Sequence, residues 1–254
     1  MTLNIQSLTK TYIKPEEKSS KEKMIHALRD CSLEIEGGSF TVIAGKSGCG
    51  KTTLLKTIAG LEHADKGTVE FTNTNGEPKI GFMFQDPRLL PWLTVEQNLA
   101  LAFPPPKDKS EKTAMQDKIH HTLSMVDLAG RAAALPHELS GGMAQRAALA
   151  RCLCRDPRIL LLDEPLSSLD AFTRIRLREE LEKLWQDLNL TVILVTHDTE
   201  DAVFFGTRVF LMNEGTIQNE IPIPLARPRD CRSLEFQEYC RKIEDIICEY
   251  GNIK

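Results

Sequence analysis

The stretch SFTVIAGKSGCGKTTLLKTIAG, Ser39 to Gly60, joins three kinds of sequence without a gap. SFTVIAG is rich in β-formers and ends on a glycine. KTTLLKTIAGL has helical spacing, and Gly60 fits the end of that helix. Between them runs Gly45-Lys46-Ser47-Gly48-Cys49-Gly50-Lys51-Thr52, the spacing Gly-x4-Gly-Lys-Thr. Strand, glycine-rich loop and helix in this order are the context of a phosphate-binding loop. Glycines let backbone N–H groups turn toward phosphate oxygens with no Cβ in the way. Lys51 offers a compact charge to β- and γ-phosphates, and Thr52 a hydroxyl to Mg²⁺.

Upstream, LNIQSLTKTY and HALRDCSLEIEGG read as strands, joined by a charged connection, KPEEKSSKEK, that reads as a solvated hairpin turn. Downstream, TVEF and KIGFMF return to strand character. From Thr94 to Arg155 the pattern is helical, with a break at Pro104-Pro105-Pro106. This block lies between β-rich halves and reads as an inserted helical subdomain. RILLLDEP is then a buried strand ending in two acids. DAFTRIRLREELEKLWQDL is a long helix, TVILVTHD a second buried strand, and RVFLMNEGTIQNE a hairpin turning at Asn213-Glu214-Gly215. In the tail, Phe236, Cys240, Ile243 and Ile247 stand at helical spacing and predict a packed amphipathic helix.

A second helix start of the same electrostatic kind lies far from the first. In LSGGMAQR, Leu139 to Arg146, Ser140 is placed to cap a helix whose first turn holds Gly141 and Gly142. Such an end is a ready anion site. In open α/β sheets ligands gather at the carboxyl ends of strands. Four residues stand there: Gln85 after IGFMF, Asp163 and Glu164 after ILLL, and His197 after TVILVT. An acid at such a place can hold Mg²⁺ through water while the next orients or deprotonates an attacking water. The bland alternatives are a polar turn for the acids and a satisfied structural histidine for His197.

The bulk numbers exclude several classes. With 254 residues, 41% hydrophobic and 27% charged, the chain has ordinary globular composition and length for a large core. A net charge of -4 spreads no basic field, and no nucleic-acid partner is expected. Seven cysteines, with Cys152 and Cys154 in a helical run, do not have structural-zinc spacing and predict buried or half-buried thiols in a reducing cytosol. The first residues lack the pattern of a signal peptide. No apolar run approaches the roughly 18 residues that span a bilayer, so a membrane role is expected to be peripheral.

GKSGCGKT, FQD, LSGGMAQR, ILLLDEP, SSLD and THD, in this order, resemble an ABC transporter ATPase subunit. The resemblance runs from about Leu3 to Gly215. It implies an α/β P-loop NTPase core with an N-terminal antiparallel β region and an inserted helical subdomain. Its divisions are one domain over 1–254, with the nucleotide-binding core at 1–87 and 156–220, the helical signature subdomain at 88–155 and a C-terminal helical tail at 221–254. It also implies two subunits packed head to tail with ATP between them. The phosphate loop of one and the signature helix of the other would then hold each nucleotide, which accounts for two anion-binding helix starts in one chain.

Carried onto these residues, the resemblance implies phosphate contacts from Gly45 through Thr53 and Mg²⁺ held near Thr52, Gln85 and Asp163. Glu164 is the general base, Asp170 communicates across the dimer, His197 contacts the γ-phosphate, and Tyr12 stacks on adenine. Ser140, Gly141 and Gly142 serve the partner's ATP. SSLD in place of the commoner SALD, and GTRV without an acid before the arginine, depart from the pattern outside the catalytic set.

FQDPRLLPWLTV together with LSGGMAQR is similar to the nitrate/sulfonate/taurine import branch. That implies a cytoplasmic subunit on the inner face of the membrane, transmembrane permease subunits and an extracytoplasmic solute-binding protein. Leu89, Leu90, Pro91, Trp92 and Leu93 are read as either internal packing or a groove for a permease helix. Two other classes are kept in view, a soluble assembly ATPase of the same family and a small-molecule P-loop kinase. LLPW argues against the first and LSGGMAQR against the second.

Overall fold

The structure, a computed structural model, describes residues 1–15, 22–73, 76 and 78–252. The charged connection expected over 14–23 therefore lies, from 16 to 21, outside the described residues. In chain order the elements are β1 (Thr2–Pro15), β2 (Glu22–Glu36), β3 (Phe40–Ala44), α1 (Lys51–Ile58), β4 (Lys66–Thr72), β5 (Ile80–Met83), α2 (Val95–Ala100), α3 (Lys109–Met125), α4 (Gly141–Leu153), β6 (Ile159–Asp163), α5 (Ala171–Leu188), β7 (Thr191–Thr196), α6 (Thr199–Phe205), β8 (Arg208–Asn213), β9 (Thr216–Pro222) and α7 (Leu234–Asn252). They fall into two compact units, Met1–Glu77 with Thr191–Lys254, and Pro78–Leu190.

The first unit holds an antiparallel sheet in the order β2-β1-β4. Leu3 and Ile5 of β1 point inward in the period-two pattern of a half-buried strand. The register slips between Ile5 and Leu8, where Ser7 takes a φ of 49°, and Leu8 is thereby returned to the core. In the same unit β3 pairs in parallel with β7 and with β8, and β9 closes antiparallel on β8. Every residue of β3 and β7 is buried, as strands covered on both faces require. Gly60 stands one residue past the cap of α1 and donates to the Thr57 carbonyl, while Leu61 donates to that of Lys56. This pair of bonds closes the helix end.

The second unit holds the parallel pair β5-β6 and the helices α2 to α5. Its helix starts are written in side chains. Thr94 and Gln97 form a reciprocal capping box, and Asp108, Ser140 and Asp170 cap α3, α4 and α5. The proline run lies between α2 and α3, as predicted.

The tail forms α7, with Phe236, Cys240 and Ile243 buried in one stripe. Helix α6 has no counterpart among the expected elements. It is about two turns of sequence after Asp198, too brief to show a period. All seven cysteines are free; Cys248 is exposed, so the expectation of buried or half-buried thiols fails there, on the outer side of α7. Among the described residues no helix is long and apolar enough to cross a membrane.

Candidate functional site

In the first unit, parallel pairing aligns two chain exits. Ala44 at the end of β3 stands opposite Thr196 at the end of β7, so Gly45 and His197 both leave at the same carboxyl edge. The loop from Gly45 is held from behind. Gly50 has a φ of 110°, and a Cβ there would stand 2.2 Å from the Ala27 carbonyl oxygen. A Cβ on Gly45 would stand 2.2 Å from the Met212 carbonyl oxygen. The β8–β9 turn joins in, since Gly215 N–H donates to the Cys49 carbonyl at 2.9 Å. Lys46, Ser47 and Gly48 are exposed at the rim, and Cys49 is buried beneath them.

Lys51, only 4% exposed, folds back under the loop. Its ammonium donates to the carbonyls of Gly45 at 2.8 Å and Lys46 at 3.0 Å, two of its three donor capacities. Gly50 caps α1 without a side chain, so the first-turn N–H groups are left to the loop and whatever it holds. Thr52 and Thr53 open that helix half-buried. Tyr12 is half-buried in β1 opposite Ile25, two residues from the Ala27 carbonyl that presses on Gly50. Lys10 Nζ lies 5.5 Å from the centre of its ring.

His197 is exposed on the turn into α6. Asp198 caps that helix through the Asp201 N–H at 3.0 Å, and Thr199 donates its hydroxyl to Glu244 of α7 at 2.8 Å. The tail helix thus grips the segment that carries His197.

In the second unit the same rule applies to the other pair. Met83 of β5 stands opposite Leu162 of β6, so Gln85 and the Asp163-Glu164 pair emerge at one edge. Gln85 Nε2 is 3.3 Å from Glu164 Oε2 and 3.3 Å from Ser167 Oγ. Asp163 is buried at 5% exposure, and Glu164 is half-buried with a φ of 45°, a left-handed backbone uncommon for a non-glycine residue. The Gln85 carbonyl accepts from Gln145 Nε2 at 3.0 Å, which ties the signature helix α4 to this turn.

At the start of α4, Ser140 Oγ accepts from the Met143 N–H at 3.3 Å; Ser140 and Gly141 are exposed and Gly142 is buried. Asp170 caps α5 through the N–H groups of Phe172 and Thr173, both at 3.1 Å, and accepts from the Thr173 hydroxyl at 2.6 Å. The Thr173 hydroxyl, first among these donors, holds the Asp170 carboxyl below its ordinary range. In the LLPW loop Trp92 is 70% exposed. Asn98, fully buried, pins the loop through Leu90, Leu93 and Thr94.

Gln145, Ser167 and Thr173 are not among the residues the sequence singled out. Each acts through a hydrogen bond or packing contact at a sequence distance that no local pattern carries. The sole available sign was the presence of Gln145 inside LSGGMAQR and of Ser167 inside SSLD; Thr173 lies in no quoted motif. As for a metal, the residues expected near it offer a hydroxyl, a carboxylate and an amide. All can present oxygen, the donor set suited to Mg²⁺.

The sequence pattern of the family described as ABC transporter matches residues 28–167. The aliphatic sulfonates import ATP-binding protein SsuB of Bacillus cereus (strain ZK / E33L) is 40% identical over 258 residues, spanning 100% of this chain and 98% of the relative. The protein of the same name from Bacillus subtilis (strain 168) is 44% identical, with 85% of each chain covered. The dimeric structure of the cassette MJ0796 matches with a TM-score of 0.73 and 32% identity over 88% of this chain and 100% of that one. The same cassette, bound to ADP and Pi in a dimeric post-hydrolysis state, matches equally. The cassette MJ1267, in its ADP conformation, shares the fold with a TM-score of 0.77 at 23% identity over the whole of both chains.

Proposed function

This chain belongs to the ABC transporter family, and from that membership we propose that it is the ATP-binding and ATP-hydrolysing motor subunit of a membrane importer for a sulfonate-like solute. The observation that carries the reading is the pair of separate helix starts: one follows the loop Gly45–Gly50, the other is capped by Ser140. A chain acting alone on one nucleotide has use for the first only. Two copies packed head to tail have use for both, and the dimeric form of MJ0796 supports a dimer.

In this reading the loop N–H groups and Lys51 hold the β- and γ-phosphates, and Tyr12 stacks on adenine. Thr52, Gln85 and Asp163 hold Mg²⁺, which when bound neutralises phosphate charge. Glu164 takes the proton of the attacking water, and Gln85, held beside it, keeps its carboxylate in place. His197 donates to the γ-phosphate. Ser140, Gly141 and Gly142 meet the ATP of the second, identical subunit, with Asp170 passing the contact between copies. Because the second helix start engages only when the copies close, ATP favours closure and hydrolysis releases it. The division into core (1–87, 156–220), signature subdomain (88–155) and tail (221–254) belongs to the same proposal.

Trp92, exposed on a loop anchored by buried Asn98, supports docking to the permease at the inner face of the membrane, with a solute-binding protein on the far side. The test is a mild-detergent pull-down of the tagged chain from its native membranes. Recovery of a multi-spanning permease, lost in Trp92→Ala, is the expected result. Soluble partners alone, with ATP turnover intact, would refute the importer reading.

A further inference from the structure

The two glycines of the signature differ in what surrounds them. A Cβ on Gly141 would meet only Leu169 Cδ2 at 3.9 Å, an ordinary contact. A Cβ on Gly142 would stand 2.3 Å from Thr173 Cγ2, with Thr173 Cβ at 3.7 Å and Oγ1 at 3.9 Å. Thr173 is no loose neighbour. Its hydroxyl is committed to Asp170 Oδ2 at 2.6 Å, and its backbone N–H to Asp170 Oδ1 at 3.1 Å. A β-branched residue in a helix also has few χ1 choices. To clear a Cβ at 142, the methyl must turn away and take the hydroxyl with it. The clash at α4 would then be relieved at the expense of the cap on α5.

We infer that Gly142 is a glycine because Thr173 fills its Cβ position, and that Thr173 is a positioning residue joining the start of the signature helix to the Asp170 turn. The methyl sets how closely α4 approaches α5, and the hydroxyl fixes the methyl. A displacement at either turn is passed to the other within one packed contact. Gly141 has no such internal reason to be glycine, so its demand comes from whatever docks on the helix start. The functional side of this inference rests on the proposal that the signature serves a partner's ATP; the packing side does not.

A compensating pair tests it. Gly142→Ala introduces the Cβ, and Thr173→Ser deletes only Cγ2 while keeping the hydroxyl for Asp170. Melting temperature without nucleotide and ATP turnover are measured on the whole chain for both single variants and the double variant. Gly142→Ala is expected to melt lower and to lose turnover on the order of 10²-fold, the scale of an ångström-size misplacement. Thr173→Ser, which loosens the contact, is expected to melt slightly below the parent, and the double variant to melt near Thr173→Ser and well above Gly142→Ala, a large favourable coupling. If Gly142→Ala does not fold, a folded double variant is the same rescue.

A double variant that melts no higher than Gly142→Ala overturns the inference: glycine would then be required by something outside Thr173. Rescue of melting carries the packing cause; turnover that stays low beside it assigns the remaining loss to the contact of Gly142 with the partner's ATP, and turnover rescued with it would count against that contact while leaving the packing cause standing. A Thr173→Ser variant that melts as low as Gly142→Ala would mean that the methyl is needed for more than filling the Cβ position at 142, and this also refutes the stated cause.

Discussion

Glu164 carries two signs of a residue held for a purpose. Its backbone lies at a φ of 45°, a conformation that costs a non-glycine residue on the order of 1–2 kcal/mol, and its carboxylate meets the Gln85 amide at 3.3 Å. Under the proposed function both serve to place the carboxylate. Glu164→Gln keeps the shape and removes the proposed base, so ATP binding should persist while turnover falls on the order of 10²-fold or more. Size-exclusion chromatography with ATP should show a trapped dimer; a monomer only would count against the head-to-tail arrangement. Ser140→Arg places a cation on an exposed helix start. Turnover should nearly vanish while nucleotide binding to the isolated chain, read by a fluorescent ATP analogue, is retained. Loss of that binding would assign Ser140 to its own chain's nucleotide instead.

Helix α7 shows how an element with no expected chemistry reaches a residue that has some. Its apolar stripe packs it, and Glu244 then meets Thr199 two residues after His197. Phe236 is fully buried, so Phe236→Ala should cost about 3–5 kcal/mol from lost transfer and the cavity left behind, read by urea unfolding. A cost under about 1 kcal/mol would mean that the tail is not part of the packed unit. The stripe Phe236-Cys240-Ile243 was legible in the sequence because its spacing repeats. The grip on Thr199 was not, since nothing local to either residue names the other. The same contrast holds in the second unit. The cap Ser140 was read from residue type and position, whereas Gln145 reaching the Gln85 carbonyl could not be.

At the scale of the whole molecule, buried thiols link stability to alkaline pH. Burial pushes Cys31, Cys152 and Cys240 from an ordinary 9.0 to about 12, and Cys154 to about 11. Below pH of about 9 both folded and unfolded chains keep these protons. Above it the unfolded chain releases protons that the folded chain retains, so the unfolded state binds fewer and stability falls as pH rises. For fully buried Cys31 the slope approaches about 1.4 kcal/mol per pH unit. Melting temperatures between about pH 8 and about pH 10.5 should therefore drop, and Cys31→Ser, which does not titrate there, should drop less steeply. An unchanged slope in Cys31→Ser would place the alkaline loss elsewhere.

What the sequence determined by itself was whatever is written within a turn or a strand: the phosphate loop between Phe40 and Ile58, the buried strands, the helix caps and the two helix starts. Local spacing and residue type suffice for these, because the backbone geometry they require spans only neighbouring residues. Tertiary structure alone decided which groups meet. Parallel register brought His197 to the edge of Gly45 and Gln85 to the edge of Glu164. Close packing of α4 on α5 set Thr173 against Gly142. Those meetings depend on pairing between segments far apart in the chain, and their energies appear only once the segments touch.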